Sequence, residues 1–343
     1  MARTLFPTTV AGSLPKPAWL AEPEKLWGAW RHEGEALRRA QEDAVLVWLK
    51  LQEDAGIDIV SDGEQFRIHF VHGFLEHVGG IDWQKKTQMG IRDNRYVVEV
   101  PTVTAPITRK RSVHSEDVRF VRANTKRQMK FTLPGPMTIC DTIADAYYGR
   151  RADMAMAFAK VLNAEARELE ALGADVIDVI QFDEPAFNVF MNDVKEWGIA
   201  ALEAAAAGLT CRTAVHICYG YGIEANLKWN ETLGGEWRQY EEIFPALNRA
   251  RIQQVSLECA GSKVPISLIA LLADKTILVG AIDVATSRIE TPEQVAGTLK
   301  EALKYADAER IQGCTNCGMA PLPRTVAVGK LRALGAGAAL LRD

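Results

Sequence analysis

His216 and Cys218 stand two residues apart in the run Ala-Val-His-Ile-Cys-Tyr-Gly, a spacing that turns both side chains to one face of a strand end. Two further residues of the same chemical kind follow, Glu258 in Val-Ser-Leu-Glu-Cys and Cys317 in Cys-Thr-Asn-Cys-Gly-Met. Imidazole nitrogen and soft thiolate sulfur form the donor set that selects Zn²⁺. A free thiol has a pKa near ~8.5 and is mostly protonated at neutral pH, whereas coordination to such an ion makes it a thiolate. The expected chemistry is therefore activation of a sulfur nucleophile.

Two ligand sets compete. His216, Cys218, Cys314 and Cys317 would make a closed, structural site. That set leaves Glu258, Asp183 and Glu64 without a task. A catalytic set of His216, Cys218, Glu258 and Cys317 has two thiolates and a neutral histidine, so the metal is near neutral. A carboxylate that detaches when a substrate sulfur arrives then holds the charge steady. Cys259 points to the other side of its strand, which favours Glu258 as the ligand.

These residues need a scaffold, and the chain has the pattern of one. Its 343 residues are 48% hydrophobic and 24% charged, ordinary for a soluble globular protein and long enough for a large α/β barrel. Forty basic against 44 acidic residues give a net charge of -4, with no electrostatic footprint for nucleic acid or for a membrane surface. No run approaches the ~18 apolar residues of a membrane span, so a cytoplasmic protein is expected. The 6 cysteines show no disulfide spacing and are expected to be reduced.

Apolar β-branched runs alternate with amphipathic stretches, which predicts parallel βα units. Expected strands are Phe6–Ala11, Ile57–Ser61, Met129–Leu133, Val176–Phe182, Arg212–Ile217, Gln253–Leu257, Ile277–Ala281 and Arg310–Gly313. Helices are expected over Gly34–Ala55, Asp153–Leu172, Val264–Leu272, Pro292–Ala306 and Thr325–Leu334. The fold class is thus a (β/α)₈ TIM barrel forming one catalytic domain over residues 1–343. In such a barrel the site lies at the C-terminal ends of the strands. Gly12 with Ser13, Glu64, Asp183, His216 with Cys218, Glu258, Asp283 and Cys317 all lie at or just after the end of an expected strand.

Two insertions interrupt the pattern. Around residues 67–127 a hairpin-like stretch, Tyr96–Val100 then Thr102–Thr108, precedes Arg109, Lys110 and Arg111, either a solvated flap or a docking surface for an anionic donor. Residues 219–240 carry Trp229, Trp237 and several tyrosines, either an active-site lid or packing against the rim.

The motifs resemble the cobalamin-independent methionine synthases, specifically their C-terminal catalytic barrel, and the resemblance covers essentially the whole chain. Ala11 to Pro15 is similar to the family's Gly-Ser-Phe-Pro opening, Asp62 to Glu64 to its Gly-Glu element, and Leu133 to Ile139 to its Thr-Gly-Pro-Val-Thr-Ile loop. Ile180 to Pro185 resembles its Ile-Gln-x-Asp-Glu-Pro strand, and His216, Cys218, Glu258 and Cys317 match its metal ligands. The resemblance implies a methionine synthase/uroporphyrinogen decarboxylase-like barrel that binds Zn²⁺ through those four residues and methylates homocysteine to methionine. It also implies that Gly12 and Ser13 hold the substrate carboxylate while Glu64 and Asp183 bind its ammonium. Asp283 either orients the donor or supports a neighbouring strand.

Departures bear on the donor. After Thr138 and Ile139, where the family stacks folate on a tryptophan, this chain has Cys140, Asp141 and Thr142; where the family has a histidine after Asp-Ile, this chain has Ala285. A tertiary amine leaving group needs protonation, so these absences predict a donor not bound as in the folate-dependent full-length enzymes. Methylcobalamin or a corrinoid protein, a folate, and an accessory protein that delivers the methyl group all stay open. A coenzyme M methyl- or alkyltransferase and a non-catalytic barrel with structural zinc are the alternatives.

Overall fold

The computed structural model describes residues 4–173 and 177–342. Ten strands occur in chain order among them: β1 (Ile59–Val60), β2 (Val78–Ile91), β3 (Tyr96–Arg109), β4 (Gln128–Pro134), β5 (Ala144–Asp145), β6 (Val179–Asp183), β7 (Arg212–His216), β8 (Gln254–Glu258), β9 (Thr276–Ile282) and β10 (Ile311–Thr315). Seven of them form one sheet in the order β1-β4-β6-β7-β8-β9-β10, every neighbouring pair parallel. Helices connect consecutive strands, and nearly every residue of these strands is buried, polar ones such as Lys130 and Gln181 included.

The expected strand Phe6–Ala11 is reduced to two parallel bridges, Thr8 to Gly313 in β10 and Thr9 to Ile59 in β1. Side chains take over the rest of its pairing. The Thr8 amide and hydroxyl donate to Asp58 Oδ2 at 2.8 and 2.9 Å, and the Ala11 amide donates to Thr315 Oγ1 at 2.9 Å. Lys130 Nζ donates to the Val10 carbonyl, and Gln181 Nε2 donates to that of Ala11 at 2.5 Å. The segment therefore spans the gap between the two end strands of the curled sheet.

The remaining expected strands are present with ends moved by a few residues; Val176, expected to open β6, lies outside the described residues. The helix expected over Val264–Leu272 is a six-residue 3₁₀ turn, Ile266–Leu271, because Pro265 is extended immediately before it. Pro292–Ala302 is a helix as expected, shorter at its C-terminal end. It starts with a capping box between Thr291 and Gln294 and has Pro292 in its first turn.

The first insertion is one long antiparallel hairpin rather than the two short arms expected. β2 pairs along β3, with Ile91 opposite Tyr96 at the tip and Val78 opposite Arg109 at the base. Pro101, which has no amide hydrogen, lies where the register shifts between Asp82 and Lys86. Arg109 is no solvated flap residue. It donates to Glu165 Oε2 at 2.7 Å and Glu168 Oε2 at 2.7 Å, tying the hairpin base to the helix Arg151–Glu170. Among the described residues no helix is long and apolar enough to cross a membrane.

Candidate metal centre and cavity

β7 ends at His216 and β10 at Thr315, so their C-terminal ends carry His216, Cys218 and Cys317 to one point. One potential ligand atom from each lies within 4.8 Å of the other two, and all three residues are buried. The sulfurs of Cys218 and Cys317 are 3.1 Å apart. His216 Nδ1 is 3.0 Å from Ser256 Oγ in β8, while its Nε2 is buried with no hydrogen-bond partner. An orphaned imidazole nitrogen beside two thiols is unfavourable in a bare protein and suits a thiophilic divalent ion.

The electrostatics follow from this crowding. The hydrogen bond shared with the Cys317 thiol, with His216 assisting against burial, holds Cys218 well below the ordinary thiol range. Cys317 moves the opposite way, because sharing that bond with Cys218 disfavours a second thiolate and because it is buried. Burial opposes charge on His216, and the neighbouring Cys218 sulfur outweighs it and raises the imidazole's pKa.

Glu258 ends β8 but is not in the three-residue group; its Oε2 accepts from the Tyr219 amide at 3.1 Å. Burial, with Cys218 adding to it, raises its carboxyl well above the ordinary range. Cys314 also lies outside the group. It packs with Ala11, Val179, Ala214 and Leu278 in an apolar layer, which removes it from the closed ligand set.

A cavity opens beside the cluster, lined by Gly12, Ser13, Glu64, Asp183, His216, Cys218 and Cys317 among others. Glu64 follows Gly63 in a turn where both have positive φ, 59° each. Arg67 stabilises this turn through a buried ion pair with Asp62 at 3.2 Å. A Cβ on Gly12 would lie 3.0 Å from Glu64 Oε1, so the glycine lets the carboxylate approach the chain. Asp183 Oδ1 accepts from Gln181 Nε2 at 2.7 Å. Burial raises Asp183 to about 7, against the pull of His216, with Glu64 pushing further up. Two carboxylates on one cavity can take a cation.

Ser13 Oγ is 3.1 Å from Tyr221 Oη, which connects the first strand segment to the second insertion. That insertion packs its aromatics together and also borders the cavity. Tyr219 packs on Trp229, Trp237 and Tyr240, while Tyr221 lines the cavity. Asp283 does not line it. Its Oδ1 accepts from the Ala285 amide at 2.8 Å and its carbonyl accepts from Lys330 Nζ at 2.7 Å, a turn-stabilising position.

Several lining residues were not foreseen: Trp27, and Arg92, Arg95 and Tyr96 at the hairpin tip. The insertion itself was a visible signal, but nothing in its local pattern marks the residues that fold back onto a distant strand end.

Residues 6–339 match the cobalamin-independent synthase catalytic domain. The methionine synthase of Sulfurisphaera tokodaii is 32% identical over 341 residues, covering 99% of this chain and 93% of that protein. That of Sulfolobus acidocaldarius is 32% identical over 342 residues, with the same coverage of 99% and 93%. A B12-independent methionine synthase from Shewanella sp. W3-18-1, solved in complex with selenomethionine, superposes with a TM-score of 0.95 at 56% identity, covering 98% of each chain. With this agreement in sequence and architecture, the chain belongs to the cobalamin-independent methionine synthases, a family of methyltransferases whose catalytic domain it spans.

Proposed function

We propose that the protein methylates the thiol of homocysteine to give methionine, with Zn²⁺ held by His216, Cys218 and Cys317 and with Glu258 as the exchangeable fourth donor. The observation that carries this reading is the unpartnered, buried Nε2 of His216 facing two sulfurs 3.1 Å apart at the wall of the cavity. We also take the fold to be a single (β/α)₈ barrel domain with two insertions, the Thr8 and Thr9 bridges supporting its closure.

Zinc in this site would supply the Lewis acidity that keeps a substrate thiol deprotonated at neutral pH. The chain's own residues do the positioning. Ser256 Oγ accepts from the Ile217 amide at 2.8 Å and sits 3.0 Å from His216 Nδ1, so it favours the tautomer with hydrogen on Nδ1 and a free lone pair on Nε2. Glu64 and Asp183 take the ammonium of the amino acid. Its arrival supplies the positive charge that buried Asp183 lacks. Gly12 and Ser13 approach the carboxylate side. In the transfer the substrate sulfur attacks the methyl carbon in line, the new C–S bond forms, and the electron pair of the broken bond leaves with the donor.

The donor side supports a carrier other than a folate held on a stacked ring. Thr142 Oγ1 bonds back to the carbonyls of Thr138 and Ile139 at 3.2 and 3.1 Å, and the Ala285 segment is held by Asp283. The test is methionine formation by zinc-loaded protein from L-homocysteine with methylcobalamin or methyltetrahydrofolate, each alone. Turnover from methylcobalamin is expected; turnover from the folate alone would overturn the donor assignment, and full activity in metal-free protein would overturn the metal assignment.

A further inference from the structure

The tip of the β2–β3 hairpin carries two arginines to the cavity, and their electrostatic situations differ. Arg92 is buried and its guanidinium pairs with Asp141. Arg95 has no carboxylate within ion-pair distance among the described residues. Its Nη1 donates to Asn226 Oδ1 at 2.9 Å and to the Tyr219 carbonyl at 3.4 Å, and its guanidinium carbon lies 3.5 Å from the centre of the Trp229 ring. These contacts fix the plane of the group from one side and one face.

Nε and Nη2 are left over. Both are buried, and neither has a hydrogen-bond partner. They are the two parallel N–H groups of one guanidinium edge, whose spacing matches the two oxygens of a carboxylate, a sulfonate or a phosphate. A half-buried cation whose unused donor edge is cut off from water is unfavourable until an anion arrives. The missing counter-charge also shows in acidity, since burial and the repulsion of Arg92 bring Arg95 down to about 10. Arg95 lines the same cavity as His216, Cys218 and Cys317. Glu64 and Asp183 make that cavity acidic, and a ligand carrying its own negative charge needs a cation on its side of the space.

We propose that the Nε/Nη2 edge of Arg95 is a docking fork for an oxyanion of the molecule that fills this cavity, and that it selects among the ligands the site accepts. The inference rests on the assignment of the cavity as a thiol site. The carboxylate of the amino-acid thiol and an anionic group of the methyl donor share the required chemistry. Gly12 and Ser13 offer only uncharged groups, the Ser13 hydroxyl already 3.1 Å from Tyr221 Oη, so the fork is the charged partner of that anion.

Calorimetric titration of the zinc-loaded protein with three thiols tests it. L-homocysteine has both charged groups, 4-mercaptobutanoate lacks the amine, and 3-aminopropanethiol lacks the carboxylate. Arg95→Gln is expected to weaken the first two by about 10- to 100-fold and to leave 3-aminopropanethiol within about twofold. Arg95→Lys keeps the charge without the fork, so it restores only part of the loss. Unchanged thiol affinities with a tenfold or larger loss of methylcobalamin or methyltetrahydrofolate binding would assign the anion to the donor and still support the fork. Unchanged binding of every thiol and both donors overturns it. So does an equal loss for all three thiols, which would mark Arg95 as a support for the loop. Wild-type protein that binds none of the thiols defeats the thiol-site assignment, and the fork is then decided by the two donor titrations.

Discussion

The cavity is furnished from two regions built on different principles. His216, Cys218 and Cys317 arrive at the ends of parallel strands, where the pairing of Asp183 with His216 and of neighbouring strands sets their height along the sheet. Arg92, Arg95 and Tyr96 arrive at the turn of an antiparallel hairpin attached to the sheet from outside. That turn runs through three residues of positive φ, Arg92 at 52°, Asp93 at 57° and Asn94 at 60°, a conformation that costs most L-residues ~1–2 kcal/mol and Asn or Asp less. The ion pair of Arg92 with Asp141 and that of Arg109 with Glu165 hold it in place. The comparison suggests a division of labour. The proposed metal ligands, which tolerate little displacement, sit at the strand ends or two residues beyond them; the residues proposed to select a ligand sit on an appendage that can vary without disturbing them.

Substitutions can break that division. Cys218→Ser and Cys317→Ser should abolish bound zinc and methyl transfer together, a loss beyond the roughly 10- to 100-fold that a residue behind a ligand is worth. Arg95→Gln should keep stoichiometric zinc by elemental analysis; zinc loss there would join the two regions into one unit. A smaller effect is expected behind the histidine. Ser256→Ala should weaken zinc by about 10- to 100-fold in chelator competition, and Ser256→Thr, which keeps the hydroxyl, should bind as the wild type does. Equal zinc affinity in the alanine variant would show that His216 needs no help with its tautomer.

A separate effect is expected on stability, away from the metal ligands. Lys16 is buried, 5.5 Å from the Trp30 ring centre, and burial lowers its pKa to about 8. Because this lies below the ordinary 10.5, the fold loses stability as pH falls from 10.5 through 8 and has the full cost at neutrality. Lys16→Met should therefore stabilise the protein by about 3 kcal/mol at pH 7, and the gain should vanish above pH ~10.5. A gain that is the same at pH 7 and pH 11 would assign the effect to packing.

Much of this architecture was legible because it is written in local chemistry. Apolar runs bounded by turns placed β4, β7, β8, β9 and β10, and Thr291 with Pro292 marked a helix start. His216, Cys218 and Cys317 stood out because few other side chains at strand ends offer nitrogen and sulfur to a metal. Phe6–Ala11 read as an ordinary strand because its composition is that of one; that Asp58, Thr315, Lys130 and Gln181 replace its ladder depends on residues far along the chain.

Sequence by itself determined the order of βα units, the family and the three residues that cluster at the strand ends, since periodicity and residue type are carried by neighbours in the chain. Only the tertiary structure decided that Cys314 turns into the apolar layer while Cys317 reaches the sulfur of Cys218, that Glu258 rests on the Tyr219 amide, and that Arg95, a residue of the cavity lining, keeps two buried donors unpaired. Those outcomes depend on differences of a few ångströms among side chains brought together by long-range packing, and such distances have no counterpart in the spacing of residues along the chain.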